Sequence, residues 1–282
     1  MKIAYVTDSG TGRNIEDLAN DGIFSLPLQV TSDTASFQDM ENLSKADCVH
    51  LLQEKKVLLT SQPALGLVHD LFAALKEQKF DLIIAVPICN GLSGTLTTMA
   101  SVAREMELKF ISYDTYSTAV LQDYLIHRLK EVYDGGMDGN AANLLAQEII
   151  GSCETIVIPS DLMHMARGGR LTKNAARFAS LLRITAVLHL NQQTGGKIDM
   201  LDKVISLRRA MKRVVEHLHE KPIDKDWLIT IAHVNAIDNA QVLYHMLQEE
   251  FPTAAIQIIE LCNVVAAHTG LGSLCLQYFK RV

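Results

Sequence analysis

Short apolar runs alternate with amphipathic helical patterns through the first half of the chain. The runs that predict strands are KIAYVTDS, IFSLPLQV, DLIIAVPIC and KFISYDT. The segments between them, KADCVHLLQEKK, ALGLVHDLFAALKEQ and TTMASVAREMEL, carry apolar residues at positions i, i+3 and i+4, which is typical of helices with one buried face. Strands that alternate with such helices predict a mainly parallel sheet covered on both faces.

The second half of the chain mixes helical crossovers with a hairpin. After two more helical segments, TAVLQDYLIHRLKEVYD and NAANLLAQEIIGS, the pattern predicts a strand at ETIVIPS and a helix at TKNAARFASLLR. The segment ITAVLHLNQQTGGKIDMLDKV predicts two strands around a Thr-Gly-Gly turn. The basic helix SLRRAMKRVVEHLHE is followed by strand WLITIAHV, helix NAQVLYHMLQEEF and strands AIQIIEL and SLCLQYF. This order predicts a mixed sheet.

We therefore expect an α/β protein of two domains. Residues 1–150 are predicted to form a Rossmann-like domain with a mainly parallel sheet, and residues 151–282 an α/β domain with a mixed sheet. A length of 282 residues with 48% apolar composition is enough for two cores. Because the sequence has no repeat and no Pro/Gly-rich linker, we expect the domains to pack closely, with a ligand cleft between them.

Charge and cysteine content narrow the classes of function. The formal net charge is -6, and binding to nucleic acid needs a concentrated basic face, so we expect no nucleic-acid partner. The basic helix is interpreted as a solvated face, with a partner-docking face as the alternative. The five cysteines form no Cys-x-x-Cys pair, which indicates buried, reduced thiols. No signal peptide or membrane-spanning run is recognised, so we expect a cytoplasmic protein.

A loop rich in Ser, Thr and Gly follows the strand DLIIAVPIC and is the first candidate site. Ser93 stands where the strand gives way to a helix, between Gly91 and Gly94. The first turn of a helix has unpaired N–H groups and partial positive charge, so an anion binds well there. Capping of the helix by Ser93 or Thr95 is the alternative interpretation. The two glycines, which allow a ligand to come close, favour the anion site.

A second pair of hydroxyls, Thr60 and Ser61, lies in the segment LLTSQPALG. Pro63 follows at a place that suits the first turn of a helix. We expect both hydroxyl-rich helix starts to lie at the carboxyl ends of strands in one sheet, which is the edge where α/β proteins bind ligands. Together they would hold one small anionic group.

Three further loops contain candidate residues. DSGTGR has no phosphate-binding spacing, so Asp8 is predicted to hold neighbouring loops by hydrogen bonds. In MARGGRLTKNAA, Arg170 follows Gly168 and Gly169 and can offer a guanidinium to a carboxylate or phosphate; a solvated surface arginine is the alternative. In AAHTGLGS, His268 is expected at the end of a strand, beside a loop that opens on the cleft, with a structural role as the alternative.

Two enzyme classes remain as alternatives to a binding protein. GLSGT nearly matches the nucleophile motif Gly-x-Ser-x-Gly, with Thr95 in place of the last glycine, so one alternative is a serine hydrolase that uses Ser93. The loop is also similar to the phosphosugar-binding loops of sugar isomerases, so the other is a phosphosugar-binding enzyme. No metal and no nucleotide cofactor is expected, because the sequence has none of the motifs that bind them.

In combination, the motifs resemble those of a known family. TDSGT, LLTSQPA, LSGT, ARGGRLT and HTGLG occur in this order over nearly the whole chain, as in the DegV family of fatty-acid-binding proteins. The resemblance implies a non-catalytic, two-domain α/β protein that holds one long-chain fatty acid between its domains. It implies carboxylate contacts at the following positions: Thr60, Ser61, Ser93, Gly94, Arg170 and His268.

The resemblance also implies partners. Some members of the family present the bound acid to a bacterial fatty-acid kinase in phospholipid metabolism, so the expected partners are a fatty acid, a kinase subunit and, transiently, a membrane surface. Two departures are Leu271, where the family usually has proline, and Ile205, where it often has a basic residue. The departure at Ile205 affects the surface that is expected to dock the kinase. The head-group loops are expected in domain 1–150, and the acyl tail in domain 151–282, against ARFASLLRITAVLHL, residues 176–190.

Overall fold

The computed structural model describes residues 1–178 and 184–282. These ranges contain thirteen strands and eleven α-helices. The strands are β1 (Ile3–Asp8), β2 (Ile23–Leu26), β3 (Gln29–Thr31), β4 (Ser36–Gln38), β5 (Leu59–Ser61), β6 (Leu82–Ala85), β7 (Phe110–Ser112), β8 (Glu154–Ile158), β9 (Thr185–Leu190), β10 (Asp199–Val204), β11 (Trp227–His233), β12 (Ala255–Glu260) and β13 (Leu274–Lys280). The helices are α1 (Ile15–Asn20), α2 (Lys45–Gln53), α3 (Leu65–Glu77), α4 (Thr95–Glu105), α5 (Val120–Asp134), α6 (Gly139–Ser152), α7 (Leu162–Arg167), α8 (Lys173–Ala176), α9 (Leu207–Leu218), α10 (Ile237–Glu250) and α11 (Asn263–Thr269).

The first sheet lies in the N-terminal half and is parallel throughout. Its strand order is β2-β1-β6-β7. α3 and α4 pack on one face through residues such as Phe72 and Met99, and α5 and α6 pack on the other through residues such as Leu125 and Ile149. Because the strands point in one direction, the loops that follow β1, β6 and β7 lie at one edge. The prediction of a parallel sheet covered on both faces is confirmed.

Pro27 divides a segment that the pattern predicts as one strand. IFSLPLQV forms β2 up to Leu26 and β3 from Gln29, and these two strands belong to different sheets. Proline has no N–H to donate to a sheet ladder, which explains the break. β3 pairs with β4 and β5 in a small antiparallel sheet, the third sheet, which the pattern does not predict.

The second sheet lies in the C-terminal half and is mixed, as predicted. Its strand order is β10-β9-β8-β13-β11-β12, in which β11 and β12 are parallel and the other neighbours are antiparallel. The predicted hairpin is confirmed by the pairing of β9 with β10. Its turn contains Gly195 and Gly196, whose φ angles of 63° and 71° favour glycine.

The two faces of the second sheet pack against different parts of the protein. On β8, Ile156 and Ile158 pack under α9 and α10, whereas Val157 between them faces the N-terminal half. Successive side chains of a strand point to opposite faces, so the same alternation holds along β13. The face that carries Val157 lies against the third sheet, α2 and α11, and the cavities described below open on this face.

Four short helices differ from the sequence prediction, and the first of them, α1, is not predicted. α7 is not predicted, and the predicted helix over residues 172–183 is observed as α8, capped as expected by Thr172, whose Oγ1 accepts from the Ala175 N–H at 3.1 Å. Residues 179–183 lie outside the described ranges. α11 occupies part of a segment predicted as a strand, because the helix is buried almost all round and so lacks the periodic polar face that would identify it.

Candidate functional site

One cavity brings together five of the six predicted site residues. The cavity, called the front cavity below, is bordered by β5, the start of α4 and helix α11. The predicted residues in its wall are Thr60, Ser61, Ser93, Arg170 and His268. Apolar side chains, among them Leu28, Ile88 and Val264, form much of the rest. Gly94, the sixth predicted residue, does not line the cavity and is exposed at the start of α4.

Thr60 and Ser61 lie on a strand and not at the start of a helix. Their strand, β5, pairs with β3 in the third sheet, and α3 begins only at Leu65. The prediction of two helix starts at one sheet edge is therefore wrong for this pair, because strand pairing keeps the chain extended through Ser61. Thr60 Oγ1 lies 2.7 Å from His268 Nε2, which joins the third sheet to α11.

Ser93 stands just before α4, as predicted. Gly94 occupies the cap position of this helix, and no side chain caps its first turn. The hydroxyls of Ser93 and Thr95 instead lie 2.9 Å apart and bond to each other. The first N–H groups of α4 therefore have no side-chain acceptor, and the start of this helix contributes partial positive charge beside the front cavity.

The glycines of the α4 loop are explained by packing within the protein. A Cβ atom at Gly91 would lie 2.2 Å from the carbonyl carbon of Gly196, in the turn between β9 and β10. A Cβ atom at Gly94 would lie 2.9 Å from the side-chain oxygen of Gln62. The interpretation that these glycines let a ligand approach is corrected: at both positions the close neighbour belongs to the chain itself.

His268 lies on α11, and not at the end of a strand as predicted. Burial, followed by the electrostatic effects of Arg170 and His164, lowers the pKa of His268 to about 4. The imidazole is therefore neutral at pH 7. Gly168 lies directly against the ring, since a Cβ atom there would be 2.4 Å from His268 Nδ1. These contacts leave the ring little freedom to turn.

Arg170 brings a positive charge to the wall of the front cavity. Its Nε donates to the carbonyl oxygen of Leu92 at 3.2 Å, and its Nη1 donates to the carbonyl oxygen of Gly168 at 2.6 Å. These two backbone acceptors orient the guanidinium. Within residues 1–178 and 184–282, no Asp or Glu carboxylate forms an ion pair with Arg170. A partly buried cation without a counter-charge favours an anionic ligand.

A second cavity lies next to the front cavity and shares part of its wall. This cavity, called the apolar chamber below, shares five wall residues with the front cavity: Leu92, Met165, Ile198, Val265 and Thr269. Each of five neighbouring strands of the second sheet contributes one apolar residue to its floor. These residues are Leu190 on β9, Val157 on β8, Cys275 on β13, Ala232 on β11 and Ile259 on β12.

The predicted tail-binding segment coincides with this chamber at one described position. Of residues 176–190, Leu190 lines the chamber. Residues 179–183 lie outside the described ranges. The other wall residues come from strands and loops distant in sequence, so their placement depends on the folded chain.

Polar side chains at the end of the chamber satisfy one another. Gln277 Nε2 lies 2.8 Å from Ser117 Oγ, 2.9 Å from Thr155 Oγ1 and 2.9 Å from the carbonyl oxygen of Thr118. Gln277 Oε1 accepts from the Leu121 N–H at 2.8 Å. The chamber wall is therefore apolar although threonines and a glutamine border it. A single glutamine within the apolar run LCLQYF is the sequence signal that could have identified this network.

Asp8 holds neighbouring loops together, as predicted. Its Oδ1 accepts from the Gly10 N–H at 2.9 Å and from Gln122 Nε2 at 2.8 Å, and its Oδ2 accepts from the Ile88 N–H at 3.0 Å. Burial raises the pKa of Asp8 to about 6. The carboxyl group thus ties the loops after β1 and β6 to α5.

Asp39 is a second buried carboxyl group, and the sequence analysis did not identify it. It accepts from Ser9 Oγ at 2.7 Å and from Asn263 Nδ2 at 2.9 Å. Burial raises its pKa to about 6. Because Asn263 begins α11, this contact connects the loop after β1 to the helix that carries His268. An acidic residue before a turn has no distinctive sequence pattern.

The match to known proteins covers the chain almost from end to end. A protein-family model described as "Uncharacterised protein, DegV family" matches residues 2–281. The chain belongs to the DegV family. A DegV domain-containing protein of Listeria monocytogenes is 30% identical to it over 283 residues, which cover 98% of each chain.

Solved structures of other DegV proteins share the fold of this DegV chain. The crystal structure of a fatty-acid-binding DegV family protein from Streptococcus agalactiae has a TM-score of 0.90 and 28% identity, and the match covers 100% of both chains. A DegV family protein from Eubacterium eligens, crystallised with heptadecanoic acid, has a TM-score of 0.79 and 17% identity over 99% of this chain and 100% of that one. At 17% identity, the similarity to the Eubacterium eligens protein shows a shared fold alone.

In the described part of this DegV protein, the front cavity presents hydrogen-bonding groups and one cation to a ligand. No three His, Cys, Asp or Glu side chains in that part are grouped so that they could hold a metal ion. In the same ranges, no helix has both the length and the apolar character needed to cross a membrane. The cysteines are free and buried, as predicted, and burial raises the pKa of the Cys48 thiol to about 12.

Proposed function

We propose that this DegV protein binds one long-chain fatty acid, with the carboxylate in the front cavity and the acyl tail in the apolar chamber. The observation that carries the proposal is that two cavities share part of their wall: one holds a cation that has no acidic partner within the described residues, and the other is apolar. The fatty-acid-binding protein of Streptococcus agalactiae, which shares the fold over its whole length, supports the same conclusion.

The carboxylate contacts proposed from the resemblance are consistent with this arrangement. Arg170 supplies the positive charge, and Thr60, Ser61 and Ser93 supply hydroxyls in the same wall. His268 is neutral and bonded to Thr60, so its role is to orient that hydroxyl. Gly94 is proposed to act only through the backbone at the start of α4. A carboxylate that left water without such partners would lose several kcal/mol.

The apolar chamber suits a long chain by its extent. Its floor crosses five neighbouring strands, and strands in a sheet are about 4.8 Å apart, so the floor is roughly 19 Å across. Burial of a C16 tail at ~0.8 kcal/mol per methylene contributes on the order of 10 kcal/mol before the costs of ordering the chain. We therefore propose that the tail supplies most of the affinity and that the front cavity selects the acid head group.

The two enzyme alternatives receive less support. In a serine hydrolase, a histidine accepts a proton from the serine, but here the Ser93 hydroxyl bonds to Thr95 and the His268 ring bonds to Thr60. A phosphosugar needs a largely polar site, whereas apolar side chains form much of the wall around the hydroxyls. Neither alternative explains the apolar chamber.

Presentation of the bound acid to a fatty-acid kinase is proposed from the family resemblance. In that case the carboxylate at Arg170 is the group to be phosphorylated, and the kinase supplies ATP and metal. The division into domains 1–150 and 151–282, the cytoplasmic location and the transient membrane contact remain predictions. The exposed Ile205, where relatives often have a basic residue, bears on the kinase surface rather than on the lipid site.

Native mass spectrometry of the freshly purified protein tests the proposed ligand. We expect a co-purified acid with an acyl chain of about 14 to 20 carbons. After delipidation, such an acid should bind again, and a short acid with the same head group should bind far more weakly because it leaves the chamber empty. Equal binding of short and long acids would contradict the proposal. Labelling of Ser93 by a fluorophosphonate would support the hydrolase instead.

A further inference from the structure

A groove between α9 and α10 lies on the side of the second sheet that faces away from the apolar chamber. Its floor is apolar and includes Met211, Val215, Val242 and Met246. Val242 is 50% exposed. Within the described ranges no other segment lines this groove, so Val242 is open to solvent between the two helices, whereas Met211 and Val215 beneath it are 2% and 7% exposed.

The two helices that form the groove run in the same direction. His219, directly after α9, and Glu250, the last residue of α10, lie side by side, with Nε2 and Oε2 3.1 Å apart. The carboxyl ends of both helices are therefore together at one end of the groove, and their amino ends are together at the other.

Charge is divided between the two ends of the groove. Arg208 and Lys212 lie toward the amino ends of the helices, whereas Glu216, Glu249 and Glu250 lie toward the carboxyl ends. The result is a surface with a positive end, an apolar middle and a negative end.

This distribution of charge is electrostatically unfavourable for the protein as a monomer. A helix carries partial positive charge at its amino end and partial negative charge at its carboxyl end, so Arg208 and Glu250 each stand at the end of like sign. Asp238, in the first turn of α10, has the favourable sign but does not line the groove. An opposing surface of reversed polarity would compensate both ends at once.

We propose that the groove docks a second copy of the chain through a two-fold axis, with the helix pairs antiparallel across the interface. A surface with one positive and one negative end is complementary to itself after such a rotation: the basic end of each copy meets the acidic end of the other, and the apolar floors meet in the middle. Any other partner would have to reproduce this polarity, whereas a second copy has it by symmetry.

A pair of charge-reversal variants tests the arrangement. The acidic variant is Arg208→Glu with Lys212→Glu, and the basic variant is Glu249→Lys with Glu250→Lys. Analytical ultracentrifugation at low salt should show a dimer for the wild-type protein and a loss of association on the order of a hundredfold for either variant alone. An equimolar mixture of the two variants should restore association, because each then meets the opposite charge.

The mixture separates docking from folding, since a misfolded variant would not be rescued by its partner. Each variant alone should also keep the far-UV circular dichroism spectrum of the wild-type protein, because the reversed side chains are exposed and the fold does not depend on them. A matched control is Lys109→Glu with Lys225→Glu, which changes the net charge as much as the acidic variant does but lies away from the groove; it should remain dimeric.

Three outcomes would overturn the proposal. They are a wild-type protein that stays monomeric at roughly 100 μM, variants that dimerise as well as the wild-type protein, and a mixture that fails to associate. None of these outcomes bears on fatty-acid binding, because the groove and the apolar chamber lie on opposite faces of the second sheet.

Discussion

Replacement of Arg170 by glutamine tests how the proposed carboxylate site works. Two backbone carbonyl oxygens, those of Leu92 and Gly168, orient the guanidinium at 3.2 and 2.6 Å, and its charge has no acidic partner in the described ranges. A hydrogen bond to a charged group contributes about 1.5 to 3 kcal/mol. Arg170→Gln is therefore expected to raise the Kd for a long-chain fatty acid roughly 10- to 150-fold.

Isothermal titration calorimetry on delipidated protein measures this change. The fatty alcohol of the same chain length is the informative second ligand, because it keeps the tail and lacks the charge. Its affinity should change much less than that of the acid. Arg167→Gln is the matched control variant, since Arg167 ends α7 at the surface and does not line the front cavity.

A second readout comes from His268. The positive charge of Arg170 contributes to the low pKa of His268, so the pKa should rise from about 4 in Arg170→Gln, as followed by NMR titration. If the acid and the alcohol lost affinity equally, Arg170 would be supporting the structure of the cavity rather than pairing with a carboxylate, and the reasoning would be refuted.

Three further predictions concern the hydroxyls, a buried carboxyl group and two glycines. Thr60→Ala combined with Ser93→Ala should weaken fatty-acid binding by about 1 to 3 kcal/mol, because two neutral hydrogen-bonding groups are lost, with little change in melting temperature. Burial raises the pKa of Asp39 from 3.8 to about 6, so the folded state holds its proton more strongly than the unfolded state does, and its contribution to stability is lost as pH rises between these values. Asp39→Asn should therefore reduce the fall in unfolding free energy between pH 4 and 6, measured with urea, by up to about 3 kcal/mol. Gly91→Ala should destabilise the protein by about 2 kcal/mol or more, because its Cβ atom would lie 2.2 Å from the backbone of the β9–β10 turn. Gly66→Ala, in an open part of α3, should stabilise it by about 0.5 to 1 kcal/mol.

Each of these predictions has an outcome that contradicts it. Unchanged affinity in the double variant would mean that the carboxylate lies elsewhere. An equally steep pH dependence in Asp39→Asn would show that other groups cause the fall. If Gly91→Ala and Gly66→Ala unfolded at the same urea concentration, the close contact between the α4 loop and the hairpin would not be present in solution.

Local sequence patterns were sufficient for most elements. The alternation of strands and helices predicted the first sheet, and the Thr-Gly-Gly turn predicted the β9–β10 hairpin, because period and turn chemistry act within a few residues. The pattern of apolar residues failed where the surroundings of a segment, and not the spacing of its apolar residues, decide its structure. α11 is buried almost all round, and IFSLPLQV divides between two sheets at Pro27.

The candidate site could be predicted as a set of residues but not as a geometry. Thr60, Ser93, Arg170 and His268 were named from motifs whose order resembles the DegV family, and the structure brings them to one cavity. The reasons given for them were partly wrong. Thr60 was expected at the start of a helix and lies on a strand, and its partner is His268, 208 positions away.

The sequence by itself determined most element types, the two larger sheets and the chemical character of the site, since these depend on side-chain period, turn residues and the supply of hydroxyls and cations. Only the tertiary structure decided that Arg170 has no acidic partner among the described residues, that Gln277 is satisfied at the end of the apolar chamber, and that Gly91 packs against a hairpin turn. Such contacts join residues far apart in the chain, and their energies depend on burial, which no local pattern records.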